Sequence, residues 1–438
     1  MKILLIGQCT LHWGRMEFGN IGNFYIIESL IRELHSTFPD AAISTTFQMS
    51  ESFCKKERIN VLPMSLYYSW SDKDLETALI ELASAQLFHD TGHLPQRTPF
   101  IEAVLDNDLV IDFSGDIWGD NADFLGKDRF LVGLIKDRVA QLLGKKTAMI
   151  AGSPGPFNNE QTTAFAREVF KNFDLVTNRE AISKGVLEAK GFDIKSIHSL
   201  ACPAFLFEPA KGEITDTLIN KELGKNRDSP VVGFILCGWN FLEGPFDKWP
   251  RDDKDYIPFA EAVEHLERLG ATVCLMSHSN GFIPGKEPFE LIHGRDYPVT
   301  KQLESVLHQR GIAKKIFVLN GVYDAWITKA IISNFDMLVS GRIHAAVAGL
   351  SQYIPTVIID YGHEPKAHKL KGFADVAGML DYVADPGLKD DLIAKIDQCW
   401  TNRETINSFL LGKIPTVKEM AKQNFILLQK LFVKEVQP

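Results

Sequence analysis

The sequence predicts an α/β protein of two domains, each a parallel sheet covered by helices. A chain of 438 residues is too long for one simple core and long enough for two ordinary ones. Strand-like and helix-like segments alternate from end to end, the pattern that parallel sheets leave in a sequence. The alternation pauses once, between about Glu208 and Ser229, where the chain is polar, carries both signs of charge and has no sustained apolar stripe. The expected division is therefore a first domain over 1–207, a linker over 208–229, a second domain over 230–400 and a closing segment over 401–438. Two open sheets joined by a linker imply a cleft between them, where such folds collect ligands.

The first half opens on the strand Lys2–Ile6, passes a glycine-rich turn at Gly19-Asn20-Ile21-Gly22, and enters an amphipathic segment from Phe24 to His35. Strands follow at Leu109–Phe113, Thr147–Ala151, Leu175–Thr177 and Ser196–His198, with helices near Asp128–Leu143 and Gln161–Asn172. After the polar stretch come strands at Val231–Leu236, Thr272–Met276, Lys315–Leu319, Met337–Val339 and Thr356–Ile359. Helices are expected at Ile257–Leu269 and Tyr323–Ser333, and a closing one at about Pro415–Lys434.

A formal charge of −9 offers no basic field for nucleic acid. The six cysteines form no CxxC pair or framework, as in a reduced, cytoplasmic protein. Met1–Cys9 has too short an apolar stretch for a lipoprotein signal and reads as a buried strand. No run approaches the ~20 apolar residues of a spanning helix. The expectation is a soluble protein whose membrane contact, if any, is peripheral.

Chemistry concentrates in Leu338-Val-Ser-Gly-Arg-Ile-His-Ala-Ala-Val-Ala-Gly-Leu350. An apolar strand ends in Ser340-Gly341, and Arg342 and His344 follow where a small-residue helix begins. Helix N-termini favour anions, and ligands collect at the carboxyl ends of parallel strands. Arg342 can hold an anion and His344 can move a proton.

The pattern Ser340-x-Arg342-x-His344-Ala345, then Pro355-x-Val357-x-x-x-Tyr361 and Lys366, resembles the polysaccharide pyruvyl transferases, which move a pyruvyl group from phosphoenolpyruvate onto sugar hydroxyls. The resemblance covers most of the chain. It implies two Rossmann-like domains on the GT-B plan facing an interdomain cleft, a closing helix that packs back on the first domain, and a role in exopolysaccharide or other cell-surface polysaccharide synthesis. Gly19-Asn20-Ile21-Gly22-Asn23 resembles the family's Gly-Asn-x-Gly-Asp. Asp108 to Asp120 matches a region with a glycine cluster, here reduced to Ser114-Gly115 and flanked by Asp116, which implies a reshaped pocket. Arg179-Glu180-x-x-Ser183 matches the family's Arg-Glu-x-x-Ser. Cys202 stands where an aspartate is usual, and His278 matches a polar position that follows a strand.

The scheme this implies needs no metal or organic cofactor. His344 protonates the donor's methylene carbon while Arg342, Arg179 and Lys366 hold its carboxylate and phosphate. Gly19, Asn20, Gly22, Ser114, Gly115, Asp116, His278 and Tyr361 line the substrates, and the acceptor is a sugar or lipid-linked glycan. Several alternatives stay open. Asp112, Asp116 and Asp120 can be read as a hard-metal site, or Asp112 and Asp116 as a base or hydrogen-bonding groups. His89/His93 and His363/His368 can be read as zinc pairs. Trp239 can stack on a sugar or be buried. At the level of function, the competing readings are a GT-B glycosyltransferase using a nucleotide sugar, and a family member that has lost catalysis.

Overall fold

The structure, a computed structural model, describes residues 1–8, 15–115, 117–224, 229–246, 248–283, 290–312, 314–362 and 367–432. It divides into two compact units. Unit 1 comprises Met1–Met16, Glu28–Cys202 and Met420–Pro438, and unit 2 comprises Glu17–Ile27 and Pro203–Glu419.

Unit 1 is built on seven parallel strands: β1 (Lys2–Ile6), β2 (Ala42–Thr45), β3 (Ile59–Val61), β4 (Leu109–Asp112), β5 (Lys146–Gly152), β6 (Leu175–Asn178) and β7 (Ile197–Ser199), in the order β3-β2-β1-β4-β5-β6-β7. β4 is buried at every position, as a strand covered on both faces must be. Helix α1 (Ile21–Thr37) contributes its residues from Glu28 onward to this unit. Helix α2 (Asp74–Thr91) packs against α3 (Arg129–Leu142) through a buried ion pair, Glu81 with Lys136 at 2.6 Å. Behind the sheet, Trp118 sits among Phe130, Phe157, Phe170 and Phe192.

Unit 2 has six parallel strands: β8 (Val231–Ile235), β9 (Thr272–Leu275), β12 (Ile316–Val318), β13 (Met337–Ser340), β14 (Thr356–Ile359) and β15 (Val383–Ala384), ordered β12-β9-β8-β13-β14-β15. A separate antiparallel pair, β10 (Asn280–Ile283) and β11 (Glu290–His293), follows β9 and leads into helix α4 (Tyr297–Gln309). Helix α5 (Ile343–Leu350) follows β13.

The stretch expected as a linker lies within unit 2 and contains the helix Glu213–Leu223, which buries Thr215, Ile219 and Leu223. That stripe recurs every four residues but is too thin to stand out in a polar sequence. The closing helix α6 runs from Asp391 to Lys430, not from Pro415, and Pro415 lies inside it. Ile396, Cys399, Ile406, Leu410, Ile414, Val417, Ala421, Phe425 and Leu428 are all buried. Their steps of three, four and seven form one helical stripe, whose burial outweighs the backbone hydrogen bond that Pro415 cannot make. From Met420 onward α6 belongs to unit 1. There Asn424, fully buried, accepts from the Thr177 hydroxyl at 2.6 Å and donates to the Ala201 carbonyl at 3.0 Å. No helix among the described residues is long and apolar enough to cross a membrane.

Candidate active site

The expected strand-to-helix junction is present. β13 ends at Ser340, Arg342 takes an extended backbone as the N-cap of α5, and α5 begins at Ile343. Arg342 cannot cap with its own side chain, so Ser340 organises the turn. Its hydroxyl donates to the Arg342 carbonyl at 3.0 Å and accepts from the Arg342 amide at 3.2 Å. Asn240, fully buried, fixes the ends of three adjacent strands. Its oxygen accepts from the Cys237 amide at 2.9 Å, and its nitrogen donates to the carbonyls of Gly341 at 3.2 Å and Ile359 at 3.3 Å. A Cβ on Gly341 would stand 1.9 Å from that Asn240 oxygen, so only glycine admits the clamp.

The Arg342 guanidinium is 7% exposed and already has a protein partner: Nε donates to Asp296 at 2.9 Å, and Nη2 donates to the other carboxylate oxygen. Arg342 is therefore half of a buried, bidentate pair, and that carboxylate holds its pKa above the usual arginine value despite burial. His278 follows β9 and is fully buried; its Nε2 is 3.3 Å from the Tyr25 hydroxyl. Burial drives its pKa down to about 3, with Asp296 opposing the shift and Arg342 adding to it. It is neutral at physiological pH and suited to hydrogen bonding, while no proton donor at neutral pH could have so low a pKa.

His344 occupies the first turn of α5, half-buried, edge-on to Phe373 at 5.7 Å. The glycine segment of the early chain comes directly against it. A Cβ on Gly22 would lie 2.3 Å from the His344 Cβ and 2.5 Å from its Nδ1. Gly22 sits in the first turn of α1, where Asn20 accepts from the Gly22 amide at 3.0 Å as the helix cap, and Gly19 closes the preceding π-helical turn. Gly19–Gly22 thus belongs to unit 2, with His344. Tyr361, buried after β14, faces Trp239 at 6.4 Å between ring centroids; Trp239 is half-buried and stacks on Phe246 at 4.8 Å.

The remaining candidates gather in unit 1, at the carboxyl ends of β4, β5 and β6. Ser153 joins them: its hydroxyl accepts from Arg179 Nε at 2.7 Å, and its amide donates to the Gly115 carbonyl at 2.8 Å. Gly115 has φ +60°, which favours glycine. Ser114 is turned inward. Its amide and hydroxyl each donate to Asp112 at 2.9 Å, and the hydroxyl accepts from the Gln8 amide at 2.8 Å. Asp112, 1% exposed, is raised to about 7 by burial, and beside it Asp137 is raised well above the usual carboxylate range by burial and by Asp112. Burial thus favours the neutral forms of both carboxyls. Asp120 accepts from the Asn159 amide at 3.2 Å. His89 lies in the last turn of α2 and His93 beyond its end, both exposed. Among the described residues no three His, Cys, Asp or Glu side chains are grouped to hold a metal. Lys366, Asp116 and His363 lie outside the described residues.

The sequence gives no sign of two residues that hold this junction. Asn240 stands beside the more conspicuous Trp239. Asp296 carries no local signal, since its partner is 46 positions away and the β10–β11 hairpin that delivers it was not foreseen.

A family model described as polysaccharide pyruvyl transferase matches residues 20–363. The amylovoran biosynthesis protein AmsJ of Erwinia amylovora is 24% identical over 424 residues, spanning 93% of this chain and 94% of that protein. Among solved structures, a glycosyltransferase from Rickettsia africae superposes with a TM-score of 0.60 at 12% identity, covering 99% of each chain. Anabaena Alr3699/HepE in complex with UDP and glucose superposes with a TM-score of 0.55 at 13% identity, covering 98% of each. At such identities the structural likeness concerns the fold, the GT-B-like pairing of two parallel-sheet domains. The matched span runs from the cap of α1, at Asn20, through Arg342 and His344 to the residues after Tyr361, and the chain belongs to the polysaccharide pyruvyl transferase family.

Proposed function

We propose that the protein transfers a pyruvyl group from phosphoenolpyruvate to two hydroxyls of a sugar in a glycan, forming a cyclic ketal and releasing phosphate. The observation that carries this reading is the contact of Gly22 with His344. Two motifs 322 positions apart in sequence meet at one imidazole, beside the Arg342 N-cap of α5. The family membership supports the same chemistry.

In this scheme His344 gives its proton to the methylene carbon of the enol, and the adjoining carbon becomes oxocarbenium-like. A sugar hydroxyl forms a C–O bond there and returns its proton to the imidazole. Phosphate then leaves with its bridging oxygen, which regenerates an electrophilic carbon. The second hydroxyl closes the ring and gives its proton to the departing phosphate. Arg342 offsets the donor's negative charge, and Tyr361 and Trp239 are candidates for the sugar. Arg179 and Lys366 supply further cations for the donor's anions, a role tested separately by the effect of Arg179→Ala and Lys366→Ala on donor affinity.

Calorimetric titration with phosphoenolpyruvate and with a panel of nucleotide sugars tests the assignment, followed by pyruvylation assays on galactose- and mannose-containing glycans. The expected result is binding of phosphoenolpyruvate and formation of an acid-labile ketal. Binding of a nucleotide sugar with none of phosphoenolpyruvate sinks the proposal and leaves glycosyl transfer in its place.

A further inference from the structure

We infer that Asp296 is a positioning residue, which fixes the Arg342 guanidinium so that one of its edges is presented to an oxyanion of the donor. The inference rests on the functional reading above and adds a residue to it.

The local fold delivers Asp296 with few degrees of freedom. After β9 the chain leaves through Ser277–Ser279, turns back through β10 and β11, and returns beside its own exit. There the Asp296 amide donates to the Ser279 hydroxyl at 3.0 Å. Gly294 makes this close return possible, because a Cβ on it would stand 2.6 Å from the Ser279 carbonyl carbon. The Asp296 carbonyl then accepts from the Thr300 hydroxyl at 3.0 Å, so the residue is anchored on both sides at the start of α4.

The geometry of the pair separates the two edges of the guanidinium. Asp296 takes Nε and one hydrogen of Nη2. A guanidinium has five N–H groups, so Nη1 and the second Nη2 hydrogen remain, and no partner for them is found among the described residues. That remaining edge is a fork matched to a carboxylate or a phosphate. A buried ion pair is a weak source of stability, since apolar residues of similar volume do as well or better. The pair, 7% and 1% exposed, is better accounted for by orientation. It locks the plane of a side chain that would otherwise rotate, next to the imidazole that moves the proton.

The test is Asp296→Asn in the full chain, measured beside the wild type and Arg342→Lys. Asparagine keeps the shape and one acceptor but turns an NH2 toward the guanidinium, which breaks the fork. Turnover should fall about 10–100-fold, the scale of loss when a reacting group is misplaced by an ångström. The dissociation constant for phosphoenolpyruvate should change by no more than about threefold, because an opposing carboxylate is removed as the orientation is lost. Lysine cannot use the fork, so Asp296→Asn should cost less than about threefold on top of Arg342→Lys. Wild-type turnover in Asp296→Asn, multiplicative losses in the double variant, or a lowered melting temperature with unchanged turnover per folded molecule each overturn the inference. If Asp296→Asn does not fold, Asp296→Glu keeps the charge and moves the carboxylate by one methylene, and wild-type turnover in it is equally fatal. A wild type that does not bind phosphoenolpyruvate removes the functional reading and this inference together. A wild type that turns it over beside an unimpaired Asp296→Asn removes the inference alone.

Discussion

In each unit, one of the two strands beside the unit's first strand ends in buried polar groups: β4 next to β1 in unit 1, and β13 next to β8 in unit 2. The contents differ. Behind β4 lie two acids, Asp112 and Asp137, and burial raises both, so their neutral forms are favoured. Beside β13 lie Arg342, whose pKa the Asp296 carboxylate holds up against burial, and His278, which burial keeps neutral by lowering its pKa. One architecture thus carries two opposite dependences on pH. In unit 1 the folded state holds a proton that the unfolded chain would release, so stability falls as pH rises from about 4 to about 7. In unit 2 the folded state refuses a proton that the unfolded chain would take, so stability falls as pH drops below about 6.5. What separates them further is Gly22, which brings a second segment of chain onto His344.

The largest expected effect falls on that asymmetry. His344→Ala should cut turnover by about 10²–10⁴-fold, the range for losing a positioned acid, while phosphoenolpyruvate affinity falls much less. Single-turnover kinetics beside calorimetry measures the split, and equal losses in both would assign His344 to binding.

Gly22→Ala should follow. Alanine is the better helix former by about 1 kcal/mol, so the helix itself gains. Yet the new methyl overlaps the His344 Cβ, which no rotation of the ring relieves, so the helix starts must move apart and the imidazole moves with them. A loss of turnover of about 10–100-fold together with a lower melting temperature is expected; unchanged kinetics would show that the contact does not hold the imidazole in place.

Asp137→Asn tests the unit 1 side. The substitution removes one of the two raised acids. The loss of stability as pH rises above about 4, to which each raised acid adds, should become shallower. Urea unfolding at three pH values reads it, and parallel curves for the two proteins would show that Asp137 adds nothing to the pH dependence.

His278→Asn is the mirror experiment and the smallest effect, because one group and not two is involved. Below pH 6.5 the wild type should lose about 1.4 kcal/mol per pH unit that the variant keeps. Acid sensitivity that survives the substitution points to groups other than His278.

Much of the fold and part of the site could be read from the sequence, for physical reasons that differ by element. Strands buried on both faces, such as Leu109–Asp112 and Met337–Ser340, announce themselves as apolar runs. β2 is as long as these but half polar and only partly buried, and β3 has three residues. Helix α2 was missed because it buries Ala78, Glu81, Ser84 and Ala85 while Leu79, Ile80 and Leu87 face solvent, which inverts the expected stripe. The Arg342–His344 junction was legible because strand, turn and helix are contiguous. The Gly22 contact was legible only as a motif, with no hint of what the missing side chain makes room for. The sequence marks Arg342 as able to hold an anion and gives no sign of its partner Asp296, since a pair formed through a fold-back leaves no periodicity.

Helix α6 also orders events during synthesis. Unit 1 needs Asn424 to satisfy the Thr177 hydroxyl and the Ala201 carbonyl, yet more than 200 residues separate Ala201 from Asn424. At the ~5–20 residues per second of translation, its sheet waits roughly 10–40 s for that partner. The segment Glu17–Ile27 waits in turn for the unit 2 residues it packs with. A nascent chain stopped between the two units therefore holds an incomplete domain and an early segment that has yet to meet its packing partners. A ribosome-bound fragment ending near Cys202 should accordingly be far more sensitive to protease than the same residues in the full chain.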